Sequence, residues 1–205
     1  MRINDIICIR KTFSTAHLKA RLPTFRDVMR AIGQLKEKDL SLGLEFSGYD
    51  TKKKERVFGV AKNSLGTHCS PMYSYPTPAS FTDAEAATLP VVYLTAYYAL
   101  FHKANLTEGQ SVLIHAGTGG VGMAAIRLAQ SHGLIVYTTC RNSKRQSLKD
   151  MFDLEDFQIG DSRSDAFVQT VLKGTGDRGV DAALNQLSGS LQVATLRCMV
   201  SSNIL

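Results

Sequence analysis

The stretch VLIHAGTGGVGMAAIRLAQ, residues 112–130, decides how this chain reads. An apolar run stops at Gly117, Gly119, Gly120 and Gly122, with Thr118 and Val121 between them. Beyond them Val121, Ala124, Ala125, Leu128 and Ala129 recur at the spacing of one helix face. SVLIH (111–115) predicts a strand and residues 120–132 a helix, so the glycines occupy the turn between the two. G-x-G-x-x-G is a weak signal alone and gains meaning in that context. Gly117 is expected to permit the tight turn. Gly119, lacking a Cβ, lets a pyrophosphate approach the backbone, and Gly122 lets the helix pack closely on its strand. The helix start then offers free N–H groups and a positive dipole end to phosphates.

The end of the second strand tests which dinucleotide fits. NAD binders usually carry an acidic residue there, about 20 residues past the first glycine, for the ribose 2′-hydroxyl. Here no acid occurs from Gly133 to Lys149. After LIVYTT (134–139), which ends in Thr139, come Arg141, Lys144 and Arg145. Cations suit a 2′-phosphate through charge-assisted hydrogen bonds, so the expected cofactor is NADPH. Asn185, closing GVDAALN, falls where ligands bind at the carboxyl edge of such a sheet; it also fits a turn-forming Asn.

From residue 111 the pattern alternates strand and helix. SKRQSLKDMF (143–152) is helical, FQIG (157–160) a short strand, DAFVQTVLKGT (165–175) helical and GVDAALNQL (179–187) a strand. A helix is expected between Ser188 and Met199. This order predicts an α/β fold, a Rossmann-type parallel sheet with helices on both faces. The first half differs. Residues 1–20 show no clear element, TFRDVMRAI (24–32) predicts a short helix capped by Thr24, and LGLEFSG and RVFGVA predict strands about the charged turn TKKKER (51–56). Residues 62–80 read as loop, TDAE (82–85) as a capping box opening a helix, and VVYLTAYYALFHKA (91–104) as the next helix, with Pro90 either ending the first or starting the second.

Composition excludes several classes. The chain has 205 residues, 44% hydrophobic and 20% charged, with a net charge of +6. The apolar run 89–101 is too short and too polar to span a bilayer. The basic residues lack interleaved aromatics or a reader motif, so nucleic acid is not an expected partner. Cys8, Cys69, Cys140 and Cys198 lack metal-ligand spacing and fit free thiols in a cytoplasmic protein; no metal is expected. The basic, hydroxylated first 20 residues faintly suggest a mitochondrial leader. The five histidines, His115 among them, read as structural or exposed.

The runs FRDVM (25–29), LGLEFSG (42–48), PVVYLTAYYAL (90–100), IHAGTGGVG (114–122) and SKR (143–145) resemble, in order and spacing, the enoyl reductase domain of animal fatty acid synthase and polyketide synthases. That domain is a zinc-independent member of the medium-chain dehydrogenase/reductase superfamily. The resemblance implies a partial GroES-like β domain at 21–85 after an unassigned segment 1–20, and an NADPH-binding Rossmann domain at 86–205 that lacks its last strands. It implies NADPH-dependent reduction of a 2-enoyl thioester on an acyl carrier, with other synthase domains as partners and a homodimer possible. It places Thr95 beside the nicotinamide, the glycine loop 117–122 on the diphosphate and Lys144, with Arg145 and Arg141, on the 2′-phosphate. The family's proton-donor Lys and Asp are expected beyond Leu205, the last residue of VSSNIL (200–205). No catalytic residue is therefore assigned, and the chain reads as clipped at both ends, with doubtful activity of its own. The other readings are a quinone-reductase-like or mitochondrial enoyl reductase, and a non-catalytic cofactor-binding remnant.

Overall fold

The computed structural model describes residues 15–35 and 41–200. The readings that fall on 1–14, including Cys8 and the leader-like basic segment, lie outside the described residues. So does the segment 201–205, and with it the reading that rests on Leu205, beyond which the proton donors are expected. Two compact units divide between Val92 and Tyr93.

The first unit is an antiparallel sheet. Its strands are β1 (Ala16–Ala20), β2 (Glu45–Asp50), β3 (Glu55–Val60), β4 (His68–Cys69) and β5 (Tyr73–Pro76), in the order β4-β1-β2-β3-β5. Helix α1 (Phe25–Ala31) starts at Thr24, whose hydroxyl accepts the Asp27 N–H while Asp27 Oδ2 accepts the Thr24 N–H at 2.7 Å. Asp27 also accepts the Gly43 N–H at 2.8 Å. Burial raises its carboxyl, but these backbone donors outweigh that and hold it below the usual range. Helix α2 (Asp83–Ala87) begins with the second capping box, Thr82 with Glu85.

Three sequence expectations are corrected here. Residues 16–20 are not featureless: Ala16 and Leu18 are buried while His17 points out, so AHLKA is a half-buried strand whose small alanines hide the β signal. The stretch 62–80 is not all loop, because β4 and β5 pair with β1 and β3; Pro76 is tolerated at the end of an edge strand, where its missing N–H costs nothing. TKKKER is only partly a solvated turn. Asp50 Oδ1 accepts the Lys52 and Lys53 N–H groups, whereas Arg56 lies in β3 and forms an ion pair with Asp83 at 3.0 Å.

Glu45 in β2 is 2% exposed and accepts the Val91 N–H at 3.0 Å. It thereby satisfies a donor in the first turn of α3 (Pro90–Tyr97). Burial pushes its carboxyl up, with the Val91 bond opposing. The helix expected over 91–104 is not α-helical throughout; Tyr98–Lys103 continue as a π-helical turn.

The second unit carries β6 (Ser111–Ile114), α4 (Gly120–Ser131), β7 (Ile135–Cys140), α5 (Arg145–Phe152), β8 (Ile159–Asp161), α6 (Phe167–Gly174), β9 (Ala182–Leu184) and α7 (Ser190–Leu196). All strand pairs are parallel, in the order β8-β7-β6-β9, and Val180 makes a further parallel bridge to Met199. Leu113 and Tyr137 share a core with Phe167, Val168 and Val171 of α6 and with Ala194 of α7. Side chains alternate along a strand, so Val112, Ile114 and Thr138 face the other way. Helix α4 packs there, its Ile126 next to Thr138 across Gly117. The sheet is thus covered on both faces, as the strand–helix alternation implied.

Candidate functional site

Four parallel strands end at one edge, so the segments leaving Ile114, Cys140, Asp161 and Leu184 emerge together. The glycine loop leaves the central strand β6. The residue of the turn with left-handed φ is Ala116, at +52°. The Ala116 carbonyl accepts the Gly119 N–H at 2.8 Å, and the Gly117 N–H donates to Thr139 O at 2.9 Å. Gly117 is required for space: a Cβ there would lie 2.1 Å from Thr138 Oγ1.

The other two motif glycines differ. A Cβ on Gly122 would come within 2.3 Å of Ala116 O and 2.9 Å of Gly117 Cα, so the helix start seats directly on the turn. A Cβ on Gly119 would meet only Ala116 O, at 3.2 Å. The protein's own packing demands least at Gly119, which leaves its bare, exposed backbone available to something outside the chain. Gly119 is the N-cap of α4 and supplies no side-chain acceptor, so the first N–H groups, those of Gly120 and Val121, have no intrahelical partner at the positive end of a twelve-residue helix. Thr118 and Val121 are half-buried beside them.

The cations sit just past β7. Arg141 and Lys144 are exposed, on and beside a 3₁₀ turn (Asn142–Lys144), and their side chains make no ion pair or hydrogen bond among the described residues. Arg145 is different. Its guanidinium donates to the Asp156 carboxylate at 3.1 Å, the Asp156 carbonyl at 2.9 Å and the Ile159 carbonyl at 2.7 Å, tying α5 to β8. Lys149 also reaches Asp156, and the two cations hold that carboxyl below its ordinary range, the Lys149 bond contributing most.

Thr139 is fully buried, beneath the loop rather than on its surface. Its hydroxyl accepts the Ala116 N–H at 3.3 Å and meets His115 Nδ1 at 3.0 Å. Asn185 is exposed and spans its own turn, accepting the Leu187 N–H at 2.9 Å. Thr95 is exposed on α3 and makes no hydrogen bond to the loop or the cations. His115, which the sequence reads only as structural or exposed, is held against Thr139 and Thr195, and sequence reasoning missed Thr195 and Gln186, whose side chains bond to it. A polar residue closing an otherwise apolar strand, as in SVLIH, was the available signal. Among the described residues no set of His, Cys, Asp and Glu could hold a metal, and no helix is long and apolar enough to cross a membrane. Cys69, Cys140 and Cys198 are buried free thiols, and burial pushes Cys69 up to about 12.

No family model matches this sequence. Individual relatives do. A reducing polyketide synthase from Hypomyces subiculosus is 40% identical over 196 residues, 90% of this chain and 8% of that protein. The mycoketide-CoA synthase of Mycobacterium tuberculosis is 37% identical over 198 residues, 91% of this chain and 5% of that protein. The chain thus spans less than a tenth of the curated relatives it matches. Among solved structures, the CurK enoyl reductase superposes with a TM-score of 0.83 at 29% identity, covering 91% of this chain and 62% of that one. The JamJ enoyl reductase gives 0.81 at 27% with the same coverage. The chain is therefore homologous, over nine-tenths of its length, to a segment of reducing polyketide synthases, and it has the fold of the medium-chain enoyl reductases.

Proposed function

We propose that this chain is the cofactor-binding part of an NADPH-dependent enoyl reductase, one that saturates trans-2-enoyl thioesters carried on an acyl carrier within a larger cytoplasmic synthase. The observation that carries the reading is the pairing of an open Gly119 cradle at a helix start with exposed, unengaged Arg141 and Lys144 after β7. Relatives named as polyketide synthases and solved folds named as enoyl reductases support it.

The residues fit the cofactor. The N–H groups at the start of α4 take the diphosphate, for which the bare backbone of Gly119 leaves room. Arg141 and Lys144 select a 2′-phosphate by charge-assisted bonds, which an acid in their place would repel. NADPH, when bound, supplies the hydride. The chain's own residues bind and orient it at the carboxyl edge of the sheet, with Thr95 assigned to the nicotinamide side and Asn185 to the edge beyond β9. No residue of this chain is assigned the proton transfer.

The test is a titration of the purified chain with NADPH, followed by cofactor fluorescence, then turnover of a short 2-enoyl thioester followed by NADPH oxidation. Binding that prefers NADPH to NADH supports the cofactor assignment. A folded chain that binds neither overturns it. Turnover of a quinone without turnover of the thioester overturns the substrate assignment.

A further inference from the structure

His115 closes β6 with its ring fully buried, and every polar atom it has is engaged. Its backbone N–H donates to Leu184 O at 3.2 Å, and its carbonyl accepts from Gln186 Nε2 at 2.8 Å. Nδ1 lies 3.0 Å from Thr139 Oγ1, and Nε2 lies 2.9 Å from Thr195 Oγ1. The ring stands edge-on to Phe167, centroids 5.0 Å apart. One residue thus joins β6 to β7, β9, α6 and α7.

Counting protons settles the direction of these bonds. A hydroxyl has one hydrogen to give. The Thr195 hydroxyl donates to Leu191 O at 2.9 Å, so toward His115 it accepts, and Nε2 carries the proton. The Thr139 hydroxyl already accepts the Ala116 N–H, so its own hydrogen goes to Nδ1. A proton on Nδ1 instead would give Thr139 Oγ1 two donors and leave its hydrogen without an acceptor in a buried site, which costs the full desolvation of that group. Protons on both nitrogens would add an unpaired buried charge.

The far end of this chain of bonds is Ala116, the left-handed residue of the glycine loop. A non-glycine residue in that region is strained and persists only where its surroundings over-determine it. Thr139 does so twice, with its hydroxyl on the Ala116 N–H and its carbonyl on the Gly117 N–H. The Ala116 carbonyl in turn accepts from Gly119 and forms the seat of Gly122.

We propose that His115 is a positioning residue. Held as the neutral Nε2–H tautomer, it orients Thr139 and Thr195 in a directional relay, Ala116 N–H to Thr139 to His115 to Thr195 to Leu191, that sets the glycine loop in its anion-receiving shape and couples it to α7. The consequence for dinucleotide binding rests on the function proposed above; the tautomer and the relay do not.

The experiment uses the full chain labelled with ¹⁵N. Long-range ¹H–¹⁵N correlation of the histidine rings reports His115 with a protonated Nε2 and an acceptor Nδ1 at neutral pH. A protonated Nδ1 overturns the proposal. Thr139→Val, which removes both the acceptor for Ala116 and the donor for His115, weakens NADPH binding by about tenfold or more, and Thr139→Ser restores it to within about twofold. The ratio of NADPH to NADH affinity stays unchanged in both, because Arg141 and Lys144 are untouched. Equal binding by the Val and Ser variants overturns the relay. Should Thr139→Val fail to fold, Thr195→Val supplies the second cut, expected to release the His115 Nε2 proton to rapid exchange; continued protection overturns the proposal. A wild-type chain that binds no dinucleotide refutes the cofactor reading, while the tautomer measured on the same sample still decides the relay.

Discussion

Asp181 accepts the Ser111 backbone N–H at 2.7 Å and the Ser111 hydroxyl at 2.8 Å with one carboxylate oxygen, across seventy residues of sequence. The bond joins the head of β6 to the head of β9, at the end of the sheet opposite the glycine loop. An Arg178 hydrogen bond holds the Asp181 carboxyl down at about 2, with the Ser111 donors helping against burial. A folded value below the unfolded one contributes stability above about pH 4, lost as pH falls toward 2. Asp181→Ala is expected to cost about 2 kcal/mol at pH 7 by denaturant unfolding. The gap from wild type should close between pH 4 and 2, and a gap constant over that range contradicts the assignment.

His115 acts over a different window. Burial pushes its ring down to about 4, against 6.5 for an ordinary histidine. The unfolded chain therefore takes up a proton that the folded one refuses, and stability falls as pH drops from about 6.5 to about 4. The full span corresponds to about 3 kcal/mol. His115→Gln has no ring to titrate, so its melting temperature should vary less with pH than wild type between 6.5 and 4. Parallel curves would show that His115 is not the titrating group.

The motif glycines separate packing from binding. Gly122→Ala drives a Cβ to 2.3 Å from Ala116 O and should cost about 2–4 kcal/mol, seen as a lower unfolding midpoint. Gly119→Ala meets only that carbonyl at 3.2 Å, a matter of a few tenths of an ångström, so stability should stay within about 1 kcal/mol. The Cβ it adds stands where the diphosphate is proposed to lie, so NADPH affinity should fall by at least about tenfold. Retained affinity in a folded Gly119→Ala protein would count against the cradle.

The cations divide in the same way. Arg141→Ala and Lys144→Ala should each lower NADPH affinity by about tenfold and leave NADH affinity nearly unchanged in fluorescence titrations. Arg145→Gln should leave the NADPH-to-NADH ratio alone and cost about 1 kcal/mol of stability, because it cuts the bonds to Asp156 and Ile159. A changed ratio in Arg145→Gln would return that residue to the phosphate clamp.

Much of the second unit was legible in the residues. Regular strand–helix alternation announced a parallel sheet, because each element's periodicity is a local property that burial then rewards. The N-cap at Thr24 and the capping box at Thr82 were equally plain, being hydrogen bonds between residues three apart; that Asp27 completes a box at Thr24 came only with the structure. The first unit was read less well. β1 and β4 are short strands of small or polar residues whose β-structure comes from partners far along the chain, as in Ala16 opposite Asp50 and Cys69.

The sequence by itself determined that four glycines at a strand-to-helix turn precede an acid-free, cation-bearing segment, since composition and spacing carry that information without any fold. Only tertiary structure decided which of those residues face outward. Ala116 rather than Gly117 takes the left-handed turn, Thr139 lies under the loop and Arg145 is spent on Asp156 and Ile159, leaving Arg141 and Lys144 exposed. The reason is that a side chain's availability depends on what the rest of the chain packs against it, and neighbours such as His115 and Thr195, eighty residues apart, meet only once the sheet is assembled.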